Sequence, residues 1–191
     1  MTIDSSDYYY NPEHTSFTFE ERTGDPDSFS TAIGRIVLNF SELEMQISKA
    51  IVLCLGADPE RSSIVISELS FRSKVHVLAS LVKFMAPSTR FNTGNDDTLE
   101  CWRKIERQCF RAEEKRNQIL HSEWSGPYLS ELKAERIKST AKAKKGFVRT
   151  TETINDADLL DIADYIIYVA VQLEEFFFEI TPNKSFKEGP P

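Results

Sequence analysis

The chain is predicted to be mainly α-helical, an antiparallel bundle of four to five helices with a small β-hairpin inserted before the last helix. Three observations predict this. Apolar residues recur at three- and four-residue spacing over several long segments. Residues that start helices, Asp-Pro pairs and an Asn with an acid three residues on, stand where those segments begin. Only one stretch, Arg136 to Ile154, abandons that period for Thr, Val and Ile on either side of a Lys-Lys-Gly turn. With 191 residues, 40% apolar and 28% charged, the chain can bury one core and is short for two.

The first helix is expected from Asp25-Pro26, an N-cap followed by a proline at the first helical position. Val37, Phe40, Glu44, Ile47, Ile51 and Cys54 form its stripe, widened by Ile36, Leu43 and Ala50, and Gly56 ends it. Asp58-Pro59 restarts the helix and Ser70 offers a further cap. Phe71, Val75, Leu78, Val82 and Met85 follow as a stripe, closed by Pro87 and the polar run Asn92 to Asp97. Another helix begins near Asp96, carries Trp102, Ile105, Cys109, Ala112, Arg116 and Ile119, and ends around Ser122, before Gly126-Pro127. The last has Asn155 as cap with Asp158 three residues on and runs to about Ile180. Its apolar face, Leu159, Ile162, Ile166, Val169, Leu173 and Phe176 with Ala163, Ile167, Ala170 and Phe177 beside them, is wide enough to pack on two sides, within a bundle or across a dimer. The organisation read from this is an N-terminal arm over 1–25, a helical domain over 26–181 with its hairpin insertion at about 134–154, and a C-terminal tail over 182–191.

Composition narrows the function. A net charge of −7 disfavours wholesale coating of nucleic acid and leaves room for a local basic patch. Three cysteines without CxxC spacing do not make a disulfide framework and fit a reduced compartment. With three histidines, none near a cysteine pair, no metal or other cofactor is expected. The N-terminus lacks the basic and apolar regions of a signal peptide, and the longest apolar stretch, Tyr165 to Leu173, is too short and interrupted to span a bilayer. The expectation is a cytoplasmic protein without membrane contact.

The chemistry is concentrated at the end of the Trp102 helix, in Arg116, Asn117 and His121. Arg116 falls on the apolar stripe, so its guanidinium is expected to be partly buried and to need an acceptor. Glu44, within the stripe of the first helix, is the expected partner across the bundle; the alternative is that both side chains snorkel to solvent. Asn117 and His121 are four apart and share a face with Phe110, turned from the Arg116 stripe. Histidine cycles between base and acid near neutral pH, as RNA transesterification requires. A guanidinium can hold the scissile phosphate and offset the charge that builds in the transition state. The plainer account makes Arg116 an ion-pair residue and His121 a donor at a helix end.

The run Arg116-Asn117-Gln118-Ile119-Leu120-His121 resembles the RNxxxH form of the Arg-x4–6-His motif of HEPN domains. These are small helical bundles, mostly prokaryotic, of toxin–antitoxin and defence systems. The likeness covers about residues 28–180 as a helical pattern, and its specific part is the six-residue motif. It implies a homodimeric, metal-independent endoribonuclease that cuts RNA by attack of its own 2′-hydroxyl, leaving a 2′,3′-cyclic phosphate, at a site composed across the dimer interface. By that resemblance Arg116 and His121 are catalytic and Asn117 is their polar support. The family also contains inactive members and partners of nucleotidyltransferases. The alternative implied is therefore a non-catalytic protein- or nucleotide-binding module, with an antitoxin or a nucleotidyltransferase as partner. The hairpin is an elaboration on the minimal bundle.

Two further features bear on RNA. Residues 133–149 hold seven basic side chains, among them Arg136, Lys138, Lys142, Lys144, Lys145 and Arg149, against the single acid Glu135. Such a hairpin can guide a phosphate backbone, and its lysines can equally serve to discourage edge-to-edge strand pairing. Trp124 can cover the site or stack on a base, though core or interface packing is the favoured reading. His14 and His76 are read as surface residues. No acid–histidine–serine set accompanies Ser122.

Overall fold

The computed structural model describes residues 28–93, 97–125, 133–142, 146–178 and 181–182. It is mainly helical, as expected, with a three-stranded antiparallel sheet before the last helix. In chain order the helices are α1 (Ser28–Leu55), α2 (Pro59–Ser67), α3 (Phe71–Met85), α4 (Thr98–Leu120) and α5 (Asp156–Phe177). Strands β1 (Thr89–Arg90) and β5 (Thr181–Pro182) pair with each other, and β2 (Glu123–Ser125), β3 (Lys133–Lys142) and β4 (Gly146–Asn155) form the sheet in that order.

Local chemistry sets the helix boundaries. Gly56, at φ 57°, takes the left-handed conformation that closes α1. The Asp58 carboxylate accepts from the amide of Arg61 to start α2, Ser70 does the same for Ser73 in α3, and Asp97 for Glu100 in α4. Asn155 and Asp158 form a full capping box on α5: Asn155 Oδ1 accepts from the Asp158 amide at 2.7 Å and Asp158 Oδ2 from the Asn155 amide at 3.2 Å. The α5 helix stops at Phe177, three residues before the expected end. The assignments of residues 1–25, of the Asp25-Pro26 start and of 183–191 lie outside the described residues.

One core holds the bundle together. Ile36, Leu43 and Ile47 of α1, Leu78 and Val82 of α3, Trp102 and Ala112 of α4, and Leu159, Ile166 and Leu173 of α5 are all essentially inaccessible. Burial of this kind is worth about 25 cal/mol per Å² of apolar surface, the main force for the fold. The most extensive helix contact joins α1 to α5, and α4 lies against α5 and α3. Thus α5 packs on two sides within the bundle, with Asn39 of α1 donating to the Ala163 carbonyl at 2.8 Å. At one end Trp102, Phe91, Phe176 and Phe177 form an aromatic cluster with ring centroids 5.0–6.2 Å apart. Val37, expected in the stripe of α1, is exposed; the buried line runs through Ile36, Phe40, Leu43 and Ile47 instead. No helix among the described residues is long and apolar enough to cross a membrane.

The sheet was expected as a hairpin and contains a third strand. Its register sets Trp124 opposite Arg136 and Arg136 opposite Glu152, so these three side chains share one face. That face meets the end of α4. Arg136 is 3% exposed, donates to the Gln118 carbonyl at 3.2 Å and pairs with Glu152. Arg136 therefore leaves the basic surface expected of the hairpin and serves as a buried tie.

Candidate functional site

The last two turns of α4 place Arg116, Asn117 and His121. Arg116 stands at the edge of the stripe whose other members, from Trp102 to Ile119, are buried. Its guanidinium lies 5.0 Å above the Phe40 ring of α1, a cation–π contact, and its Nη1 donates to Asn117 Oδ1 at 2.8 Å. Its Nε is buried with no acceptor among the described residues. The expected Glu44–Arg116 pair is not formed. Glu44 Oε1 accepts instead from Nζ of Lys74 on α3 at 2.8 Å. Lys74 is 7% exposed, and an ammonium so desolvated claims the nearest carboxylate.

Asn117 and His121 do share a face, as their spacing predicts. They open on a cleft of about 850 Å³ together with Arg72, Arg107, Phe110 and Arg111. His121 is exposed and occupies the C-cap of α4, its amide donating to the Asn117 carbonyl at 3.1 Å. Asn117 thus belongs to both halves of the motif, holding the arginine through its side chain and facing the cleft beside the histidine. Trp124 is half-buried on β2, its Nε1 donating to the Ile119 carbonyl at 3.1 Å. It supports the end of α4 by packing, the reading favoured from sequence.

Sequence reasoning missed the far wall of this cleft. Arg72 of α3 bonds Glu113 at 2.8 Å and lies 5.1 Å over the Phe110 ring. The exposed His76 ring stands 5.2 Å from Phe110 on the same side. The spacing of Arg107, Arg111, Gln118 and His121 along one helix face was the available signal. The contribution from α3 had none. Lys115 was also missed: it is 5% exposed, with Nζ 5.6 Å from the Tyr165 ring centre. Burial and the neighbouring Arg111 lower its pKa, opposed by Glu114 and Asp161.

Compared with protein-family models, curated proteins and solved structures, the chain matches none.

Of the basic residues assigned to RNA, Lys138 and Lys142 lie on β3 and Arg149 on β4. Arg149 is exposed, with Nη2 3.7 Å from Glu123 Oε2. Lys144 and Lys145 lie outside the described residues. Cys109 is buried and Cys54 and Cys101 are half-buried, and none of the three is in a disulfide. Burial, reinforced by Glu106, pushes the Cys109 thiol up to about 12, and burial alone pushes Cys54 to about 11. Neither has the depressed pKa of a reactive thiol. Among the described residues no cluster of three or more His, Cys, Asp or Glu could hold a metal ion.

Proposed function

We propose that the protein is an endoribonuclease of HEPN type that cleaves RNA by 2′-hydroxyl transesterification without a metal, acting as a homodimer. The observation that carries this reading is the hydrogen bond from Arg116 Nη1 to Asn117 Oδ1 at 2.8 Å, beside an exposed His121 on the same helix end. The Asn117 amide holds the guanidinium, and Asn117 lines one cleft with the imidazole, so the two groups that phosphodiester transesterification uses stand on either side of one residue. In this mechanism His121 takes the proton of the 2′-hydroxyl or returns one to the leaving 5′-oxygen. Arg116 offsets charge on the phosphate, and Asn117 orients the guanidinium. The second copy supplies the complementary His121, because one imidazole cannot be base and acid in the same step.

A second reading has its own support. The Arg116 guanidinium sits over Phe40 rather than in the cleft that Asn117 and His121 line. That orientation favours a binding module in which Arg116 is structural, with an antitoxin or a nucleotidyltransferase as partner. Cleavage of a labelled RNA in EDTA separates the two. The ribonuclease reading expects a 2′,3′-cyclic phosphate product from wild type and a loss of at least 100-fold in His121→Ala, within the range for removing a general acid–base group. Equal rates in both proteins, or none in either at high protein concentration, favour the binding module.

A further inference from the structure

We propose that the exposed face of α4 from Lys104 to His121 is a track for the backbone of single-stranded RNA, leading it to Asn117 and His121; this rests on the ribonuclease reading. The track is formed where two clefts meet. One, between α4 and α5, is lined by Lys104, Gln108, Tyr165 and Tyr168, and the other is the cleft of Phe110, Asn117 and His121. Arg107 and Arg111 line both. At 1.5 Å per residue, Lys104 to His121 spans about 25 Å, room for several nucleotides.

Charge supports a polyanion. Arg103, Lys104, Arg107 and Arg111 recur at three- and four-residue spacing, where like charges repel each other. Nearby carboxylates relieve this only in part. Glu100 lies 3.7 Å from Lys104 and Glu113 is held by Arg72, while Glu114 and Glu175 stand on the walls. Among the described residues no carboxylate pairs with Arg103 or Arg107. Arg107 therefore presents an exposed, unmatched guanidinium at the junction of the clefts. Aromatic rings line the same clefts: half-buried Phe110 on one side, and on the other half-buried Tyr168 next to the buried ring of Tyr165. Cations beside partly exposed rings suit unstacked bases on a phosphate chain better than an acidic peptide, which has no use for the rings. The basic hairpin is a weaker candidate, since Arg136 is buried and Arg149 already neighbours Glu123.

The test is fluorescence anisotropy of the full chain, in EDTA, with a labelled 12-nucleotide oligouridylate that is fully 2′-O-methylated and so cannot be cut by its own hydroxyl. Lys104→Gln/Arg107→Gln is expected to weaken binding at least tenfold and to lower the slope of log affinity against log salt by about 1.4, two single-strand phosphate contacts. Lys104→Arg/Arg107→Lys is expected to retain the affinity. The track is overturned by unchanged binding in the Gln pair, by no binding in wild type, or by a larger loss on neutralising Lys142, Lys144 and Lys145. Displacement of the RNA by polyglutamate at equal charge also overturns it, in favour of an acidic protein partner. Cleavage is scored separately on the same oligonucleotide with free 2′-hydroxyls. Binding without cleavage by wild type counts against the ribonuclease reading alone, and cleavage undiminished in the Gln pair counts against the track alone.

Discussion

Glu44 and Lys74 offer the sharpest test of the packing around the motif, because the two ends of the pair differ in exposure. The Lys74 side chain is 9% exposed and that of Glu44 38%. Breaking a fully buried pair costs about 3–5 kcal/mol and an exposed pair is worth about 0.2–1. Glu44→Gln leaves a desolvated ammonium facing a neutral amide, and an intermediate cost of about 2 kcal/mol is expected. Lys74→Met keeps the packing of the aliphatic stem and lets Glu44 turn to water, so about 1 kcal/mol or less is expected. A double-mutant cycle between the two should return a coupling of about 1–2 kcal/mol. The same cycle between Glu44 and Arg116→Met should fall within the roughly 0.5 kcal/mol scatter of independent sites. Urea unfolding measures each from the midpoint at constant slope. Equal costs for the two single variants, or stronger coupling of Glu44 to Arg116 than to Lys74, would refute the reasoning.

Other perturbations have equally definite outcomes. Arg136→Lys keeps the charge but loses the planar fork that reaches both the Gln118 carbonyl and Glu152, so a loss of about 1.5–3 kcal/mol is expected in thermal or urea melts. Asn155→Ala removes half of the α5 capping box and should cost about 1 kcal/mol, with Asn155→Gly costing only a few tenths. The Cys109 thiol, raised to about 12 in the fold, is protonated there while its unfolded counterpart ionises near 9. Its contribution is fully present below pH 9 and is lost as pH rises toward 12, at about 1.4 kcal/mol per pH unit. Under reducing conditions the alkaline fall in stability should flatten by that slope in Cys109→Ala, and an unchanged slope would argue against the burial of this thiol.

What was legible in the sequence was what depends on few neighbours. Asp58, Ser70 and Asn155 with Asp158 each need only four consecutive residues to act as caps, and all do so. Periodicity placed Arg116 on the α4 stripe, where the fold puts it at the edge, and set Asn117 and His121 on another face. A helical wheel gives an azimuth, however, not the identity of the helix that fills it. Glu44 was therefore matched to Arg116, when Lys74, an unremarked polar position in the α3 pattern, takes it. The third strand, β2, has only three residues, too few to show alternation, and β1 and β5 have two each, joined across most of the domain. The α3 wall of the cleft, Arg72 over Phe110, comes from two segments 38 positions apart whose meeting only the packed bundle decides.

The last turn of α4 is closed by residues that come after it. The Asn117 carbonyl accepts from the His121 amide, the Gln118 carbonyl from Ser122 Oγ and Arg136, and the Ile119 carbonyl from Trp124 Nε1. Helices commonly end on a glycine that turns the chain away; this one ends on a stopper made of the sheet. The inserted strands are thus not separable cargo. A chain from which residues 126–154 were excised would lose the Arg136 donor to the Gln118 carbonyl and the strand that holds Trp124 against the Ile119 carbonyl, and the helix would fray from its end inward. The first turn to unwind would be the one that carries Asn117 and His121, so the motif's geometry is on loan from a hairpin that contributes no residue to it.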